Sequence, residues 1–209
     1  MEKKHIIVIR ANTLDRETRA TKIIRTLIRN GNQVSFLGWD RGIKSTRSEK
    51  NEAGCGFSEI NFRFYAPWGM PSLFFLPIWW SYIFYFLMIN EWDLVHAIQI
   101  TTSPPAIIAG KIRGKPVVYD MLDTYEDSII IPSWIRNLLV DINKFFLKQA
   151  AGVVLADDEQ VGELNGIPNN NVITIYDSPD STQEINFKPK INQNFTIFYA
   201  GLLYSGKYL

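Results

Sequence analysis

A chain of 209 residues, 46% hydrophobic and 21% charged, has the make-up of a folded globular protein, long enough for a full core and slightly long for one domain. One cysteine, Cys55, excludes an internal disulfide and fits a reducing cytoplasm; two histidines about ninety residues apart, with no Cys–His cluster, exclude a structural zinc site. The net charge of +1 conceals an asymmetry: residues 1–50 carry twelve Lys or Arg against five Asp or Glu, and the remainder ten against sixteen. Such an imbalance suggests a basic surface for phosphate, anionic lipid or nucleic acid near the N-terminus. The opening Met-Glu-Lys-Lys-His with four apolar residues behind it reads as too short for a signal peptide.

Ile6 to Ile9 is a short apolar run, the first expected strand, and Arg10-Ala11-Asn12-Thr13 is the loop after it. Ala20, Ile23, Ile24, Leu27 and Ile28 recur at helical spacing, Asn30-Gly31 stops that helix, and Arg19, Lys22, Arg25 and Arg29 fall on its other face. Gln33 to Trp39 completes a strand–helix–strand unit of the length a parallel sheet requires. Arg41 to Phe57 is polar, basic and broken by glycines, so an exposed loop. Ile60, Phe62 and Phe64 alternate with polar neighbours as a half-buried strand.

Leu73 to Ile89 has Ser81 as its one clearly polar member. A helix of that length reaches roughly 26 Å at ~1.5 Å per residue, the lower edge of a membrane span. Pro77 is expected to interrupt it, and the strand Asp93 to Gln99 resumes a soluble sheet pattern at once. The expectation is a crossover helix with one face at a membrane interface, against the alternatives of plain core or a span.

Ser103-Pro104-Pro105 opens a helix to Arg113, with Ser as cap and Pro in the first turn. Pro116 to Asp120 is a buried strand, and four acids follow at its end: Asp120, Asp123, Glu126 and Asp127. Ligands of open α/β sheets bind beyond the carboxyl ends of strands, so this acidic loop is a site candidate. An amphipathic helix marked by Ile135, Leu138, Leu139, Ile142, Phe145 and Phe146 ends near Ala150. Gly152 to Ala156 is a strand, Asp157 and Gln160 form a capping box, and Val172 to Tyr176 is a further strand. Asp177 to Asn194, rich in Pro, Ser, Asn and Gln, reads as a linker, after which Phe195 to Tyr199 starts a new strand. A lone strand has nothing to pack on, so the chain reads as residues 1–178, a linker at 179–194, and 195–209 as the opening of a truncated second α/β domain.

Several segments, in order, resemble one family. Asp15-Arg16-Glu17 through Leu27, Gly31 and Val34, then Asp93-Leu-Val-His96, Val117-Val-Tyr-Asp120, Gly152 to Ala156, Val172 to Pro179, and Tyr199 to Leu209 with Gly201 and Lys207, are similar to GT-B glycosyltransferases of the family-4 type. The departures are Leu122 where the family often has His, Leu202 where it has Arg, and Arg10-Ala-Asn-Thr in place of a glycine-rich loop.

The resemblance implies a Rossmann-like open parallel sheet with helices on both faces. It also implies transfer of a sugar from a nucleotide-sugar donor to a lipid-linked or surface-polysaccharide acceptor, without metal or other cofactor. The expected strand ends would supply the acceptor wall: Arg10, Asn12, Arg16, His96, Gln99, Asp120, Tyr125 and Glu126, with Asp123 as base or orienting carboxylate. Asp120 is expected to satisfy nearby backbone donors. Gly201 and Lys207 would begin the donor side, so these 209 residues alone would turn nothing over. The expected setting is cytoplasmic, peripheral on the inner face of the cell membrane, with an anionic surface as partner and no nucleic acid. The alternative is a membrane-associated, non-catalytic module that keeps the fold. A nicotinamide enzyme is disfavoured because no Gly-x-Gly-x-x-Gly follows the first strand.

Overall fold

The β-branched runs of the sequence become seven parallel strands: the central ones are short and apolar on both faces, while β3 and β7 at the edges are only partly buried. The computed structural model describes residues 3–42, 56–67, 70–122, 133–163, 166 and 169–178. Met1–Asp177 forms one compact unit; Ser178–Leu209 forms a second, of which only Ser178 is described.

The strands are β1 (His5–Arg10), β2 (Gln33–Asp40), β3 (Phe57–Arg63), β4 (Leu94–Ile98), β5 (Val117–Met121), β6 (Gly152–Leu155) and β7 (Val172–Thr174). They lie in the order β3-β2-β1-β4-β5-β6-β7, and every neighbouring pair is parallel. The helices are α1 (Thr18–Arg29), α2 (Leu76–Ile89), α3 (Ser103–Arg113), α4 (Ser133–Gln149) and α5 (Glu159–Glu163). The order reverses at β1, so β1 and β4 meet at a switch point where ligands of such sheets bind.

Alternation along the strands divides the core in two. Ile7, Ile9, Leu37, Trp39, Val95, Ala97, Val117 and Tyr119 face α2, α3 and α4. Val8, Val34, Phe36 and Ile98 face α1 through Ala20 and Ile24. The basic helix α1 and the apolar helix α2 therefore cover opposite faces of the sheet.

The segment read as one helix over Leu73–Ile89 is a 3-10 turn, Met70–Phe75, followed by α2. Pro77 does not interrupt α2. It stands in the first turn, where its missing N–H leaves no helical bond unmade. Pro71–Ile89 is long and apolar enough to cross a membrane by length and composition, yet it packs along the sheet through Trp79, Ile83 and Leu87. Arg113 on α3 donates to the carbonyls of Leu87 and Asn90 and closes the end of α2. The high aromatic content has its local cause here. Trp39 stacks on Trp79 at 5.5 Å, and Phe62 on Tyr82 at 4.3 Å, tying the β2–β3 edge to α2. Close approach is also built in at Gly110, where an added Cβ would lie 2.5 Å from Val117 Cγ2 and 2.9 Å from the Lys115 carbonyl oxygen.

Candidate functional site

Asp120 is the penultimate residue of β5 and is completely buried. A buried carboxylate is costly unless its charge is met and its lone pairs are filled. Both conditions are satisfied by side chains rather than by the backbone donors expected from sequence. Arg19, in the first turn of α1, donates Nη2–H to Asp120 Oδ1 at 2.9 Å and Nε–H to Oδ2 at 3.2 Å. His96, from the neighbouring β4, brings Nε2 to 2.9 Å of the same Oδ2. The third guanidinium nitrogen, Nη1, donates to the Ile175 carbonyl at 3.0 Å and lies 3.4 Å from Asp177 Oδ1. One bidentate ion pair thus joins α1, β5 and the segment that follows β7.

Burial alone would push the Asp120 carboxyl up, but the hydrogen bonds and charges of His96 and Arg19 more than offset this and hold it below the usual carboxylate range. Burial likewise works against the Arg19 charge, and Asp120 outweighs it, so Arg19 stays a cation. An ionised carboxylate can only accept, so Nε2 of His96 carries the proton and Nδ1 is the nitrogen left to accept or take a proton when the ring is neutral. That is the chemical capacity of the group: a histidine fixed in one tautomer by a carboxylate whose own charge is balanced.

Gln99 stands one residue past β4 with φ of +69°, the only described non-glycine residue in the left-handed region. Its N–H donates to the Asp120 carbonyl at 2.8 Å, and its carbonyl accepts from the N–H groups of Thr102 and Ser103 and from both their hydroxyls. This bend turns the chain from β4 into α3 beside the Asp120 group. The conformation costs an ordinary residue about 1–2 kcal/mol, so Gln99→Gly is expected to raise unfolding stability by about 1 kcal/mol while removing the Gln side chain from the strand edge. Urea melts of the two proteins check this. The start of α3 is poorly suited to an anion, because Pro104 and Pro105 remove two of the N–H groups that a helix N-terminus would offer.

The loop after β1 uses its polar residues internally. Arg10 Nε lies 3.0 Å from Glu17 Oε1, Asn12 donates Nδ2–H to the same oxygen at 3.0 Å, and Asn12 Oδ1 accepts the Thr13 N–H. Glu17 precedes the first residue of α1, where a negative charge is favourable. Arg16 is exposed on the 3-10 turn before it. Arg10, Asn12, Gln99 and Asp120 therefore stand at the carboxyl edge of β1, β4 and β5, whereas His96, expected there too, is the central residue of β4 and joins them through its bond to Asp120. Asp123, Tyr125, Glu126, Gly201 and Lys207 lie outside the described residues.

Arg19 is not among the acceptor-wall residues expected from sequence; with Arg16 it is expected on a face of α1 that grips a phosphate or is simply solvated. It is buried instead. A signal existed: Arg19 is four residues before Ile23 and eight before Leu27, on the stripe that faces the sheet. His5, the other histidine, belongs to the opposite end of β1 and is held by the Glu91 carbonyl and Ser35 Oγ. Asp157 and Gln160 cap α5 as expected, with Gln160 Oε1 accepting the N–H groups of Ala156 and Asp157. Asp158 accepts the hydroxyls of Thr174 and Tyr176, which hold its carboxyl below the usual range. Among the described residues no group of three or more His, Cys, Asp or Glu side chains could hold a metal ion.

The fold is similar to that of solved glycosyltransferase structures of the GT-B kind. A sucrose-phosphate synthase structure from Thermosynechococcus elongatus superposes with a TM-score of 0.61 at 11% identity, covering 84% of this chain and 90% of that one. Arabidopsis thaliana UGT89C1 in complex with UDP-L-rhamnose gives 0.54 at 14% identity, covering 84% and 52%. MurG from Acinetobacter baumannii gives 0.52 at 16% identity, covering 89% and 50%. The chain thus spans about half the length of the UGT89C1 and MurG chains. No protein-family model matches the chain, and no curated protein matches it in sequence. At these identities the likeness is one of fold: a Rossmann-like α/β unit with a seven-stranded parallel sheet, of the kind found in GT-B glycosyltransferases.

Proposed function

We propose that this chain is the acceptor-binding part of a family-4-type GT-B glycosyltransferase, which moves a sugar from a nucleotide-sugar donor to a lipid-linked or surface-polysaccharide acceptor without a metal ion. The supporting observation is the His96–Asp120–Arg19 group, which links the middle of β4 to the carboxyl end of β5, on a sheet of the GT-B kind. Glycosyl transfer needs an oriented acceptor hydroxyl and stabilisation of a departing diphosphate. His96 has the first capacity, since its free nitrogen can accept a hydroxyl proton while Asp120 steadies the ring. Asp123 and Glu126, just past β5, would complete the acceptor wall, and Gly201 with Lys207 would begin the donor side. The enzyme would work in the cytoplasm, peripheral on the inner face of the membrane. UGT89C1, crystallised with UDP-L-rhamnose, has a nucleotide sugar as its ligand; for this chain a nucleotide sugar is the proposed donor.

Calorimetric titration of the full-length gene product with a panel of nucleotide sugars tests the reading. Saturable binding of at least one donor is expected, with dissociation constants of about millimolar or tighter. No binding to any of the panel at that concentration would turn the assignment to a non-catalytic module that keeps the fold.

A further inference from the structure

A helix apolar on all sides is normally enclosed on all sides, by a large core or by lipid. α2 is enclosed on one. Trp79, Ile83 and Leu87 are fully buried against the sheet, whereas Phe74 before the helix is 85% exposed and Tyr85 and Ile89 are each 60% exposed. Ile78, Tyr85 and Ile89 recur at helical spacing and form one outward stripe, interrupted only by Ser81. From Phe64 to Asn90 the chain has no charged side chain at all.

The neighbouring helix extends the surface. α3 packs beside α2 and exposes Ile108 and Ile112, with exposed Lys111 between them. α4, beyond α3, adds exposed Phe145 flanked by Lys144 and Lys148, against one exposed anion, Asp141. Exposed Glu91, just past α2, is paired with Arg113 and Lys115. Apolar side chains bordered by lysines, with Glu91 neutralised and Asp141 as the other acid, match a bilayer with anionic headgroups: the apolar groups enter the acyl boundary and the lysine heads stay at the phosphates. The cations of α1, which composition alone had suggested as the lipid contact, are on the opposite face of the sheet and cannot meet the same plane through it.

We infer that the outer face of α2 and α3, continued by α4, docks this protein on an anionic bilayer, with Phe74, Ile78, Tyr85, Ile89 and Ile112 as the inserting groups. The inference deepens the transferase reading, because a protein lying on this face takes its acceptor from the membrane; the docking face itself stands on exposure and charge alone.

Flotation of the full-length gene product with phosphatidylcholine vesicles, and with vesicles enriched in phosphatidylglycerol, tests it. Flotation with the anionic vesicles is expected. Ile78→Glu with Ile89→Glu should weaken partitioning about tenfold or more, and Arg25→Glu with Arg29→Glu on α1 should leave it unchanged. Tyr85→Ser with Ile112→Ser serves the same purpose if the glutamates disturb folding, as judged by near-UV dichroism. No flotation with either vesicle overturns the inference, as does flotation sensitive to the α1 pair alone. So does a concentration-dependent dimer in sedimentation that Ile78→Glu abolishes, which would make the face a contact between copies. Flotation does not depend on nucleotide-sugar binding, so this inference and the transferase reading can fail separately.

Discussion

Replacing Arg19 with methionine is expected to destabilise the domain by about 3–5 kcal/mol, measured as a lower urea midpoint at unchanged slope. Methionine keeps most of the apolar stem, so packing changes little and the loss is that of the cation. Asp120 would then be fully buried with His96 as its one remaining partner, and the Ile175 carbonyl and Asp177 would lose theirs. Breaking such a pair costs more than the pair contributes, because a charge is stranded out of water. Replacing Asp120 with Asn should also destabilise, and the double substitution should cost less than the sum of the two.

The pH dependence follows from the same group. The folded Asp120 carboxyl titrates below its unfolded value of about 3.9, so the folded state favours the ionised form. Its contribution is complete above that unfolded value and is lost as pH falls through the folded one. Acid melts of the wild type should therefore lose stability below about pH 4 more steeply than those of Asp120→Asn, which cannot titrate there. A loss below about 1 kcal/mol for Arg19→Met, or parallel acid limbs, would remove Arg19 and Asp120 from the centre of the site.

On the transferase reading, His96→Ala is expected to lower kcat/KM of the full-length enzyme about a hundredfold or more, the usual scale for a proton-accepting side chain. Its effect on stability should be only about 1 kcal/mol, since Asp120 keeps both bonds to Arg19 when the ring is removed. A large kinetic loss with a small stability loss is the signature of a group that meets the substrate. A fall of less than about threefold with folding intact would leave His96 as a structural partner of Asp120 and shift attention to Asp123. Asp123→Asn in the same assay gives the comparison.

The architecture was legible because it rests on local pattern. Short Val- and Ile-rich runs spaced by helical periods specify parallel strands and crossovers, and the fold class follows from their alternation. Boundaries failed where tertiary packing decides them. Pro77 looked like a break in a helix and proved to be its first turn, since the preceding residues wind as a 3-10 turn that ends against the aromatic ladder. Lysines and arginines of residues 1–50 looked like one surface, but folding removed Arg19 from it and pairs Arg10 with Glu17.

By itself the sequence determined that Arg10, Asn12, Gln99 and Asp120 stand at or just past the carboxyl ends of the strands, with His96 inside β4 rather than at its end. Strand period and chain order are enough for that. Only the tertiary structure decided how they are used. Arg19 and Asp120 are 101 positions apart, and nothing local pairs them. The pairing is made because α1 crosses from β1 to β2 and its first turn brings Arg19 to the end of β5, where a buried carboxylate requires a cation. The same folding separated the basic α1 from the apolar α2, since right-handed crossovers running in opposite directions along the sheet, β1 to β2 and β3 to β4, must lie on opposite faces.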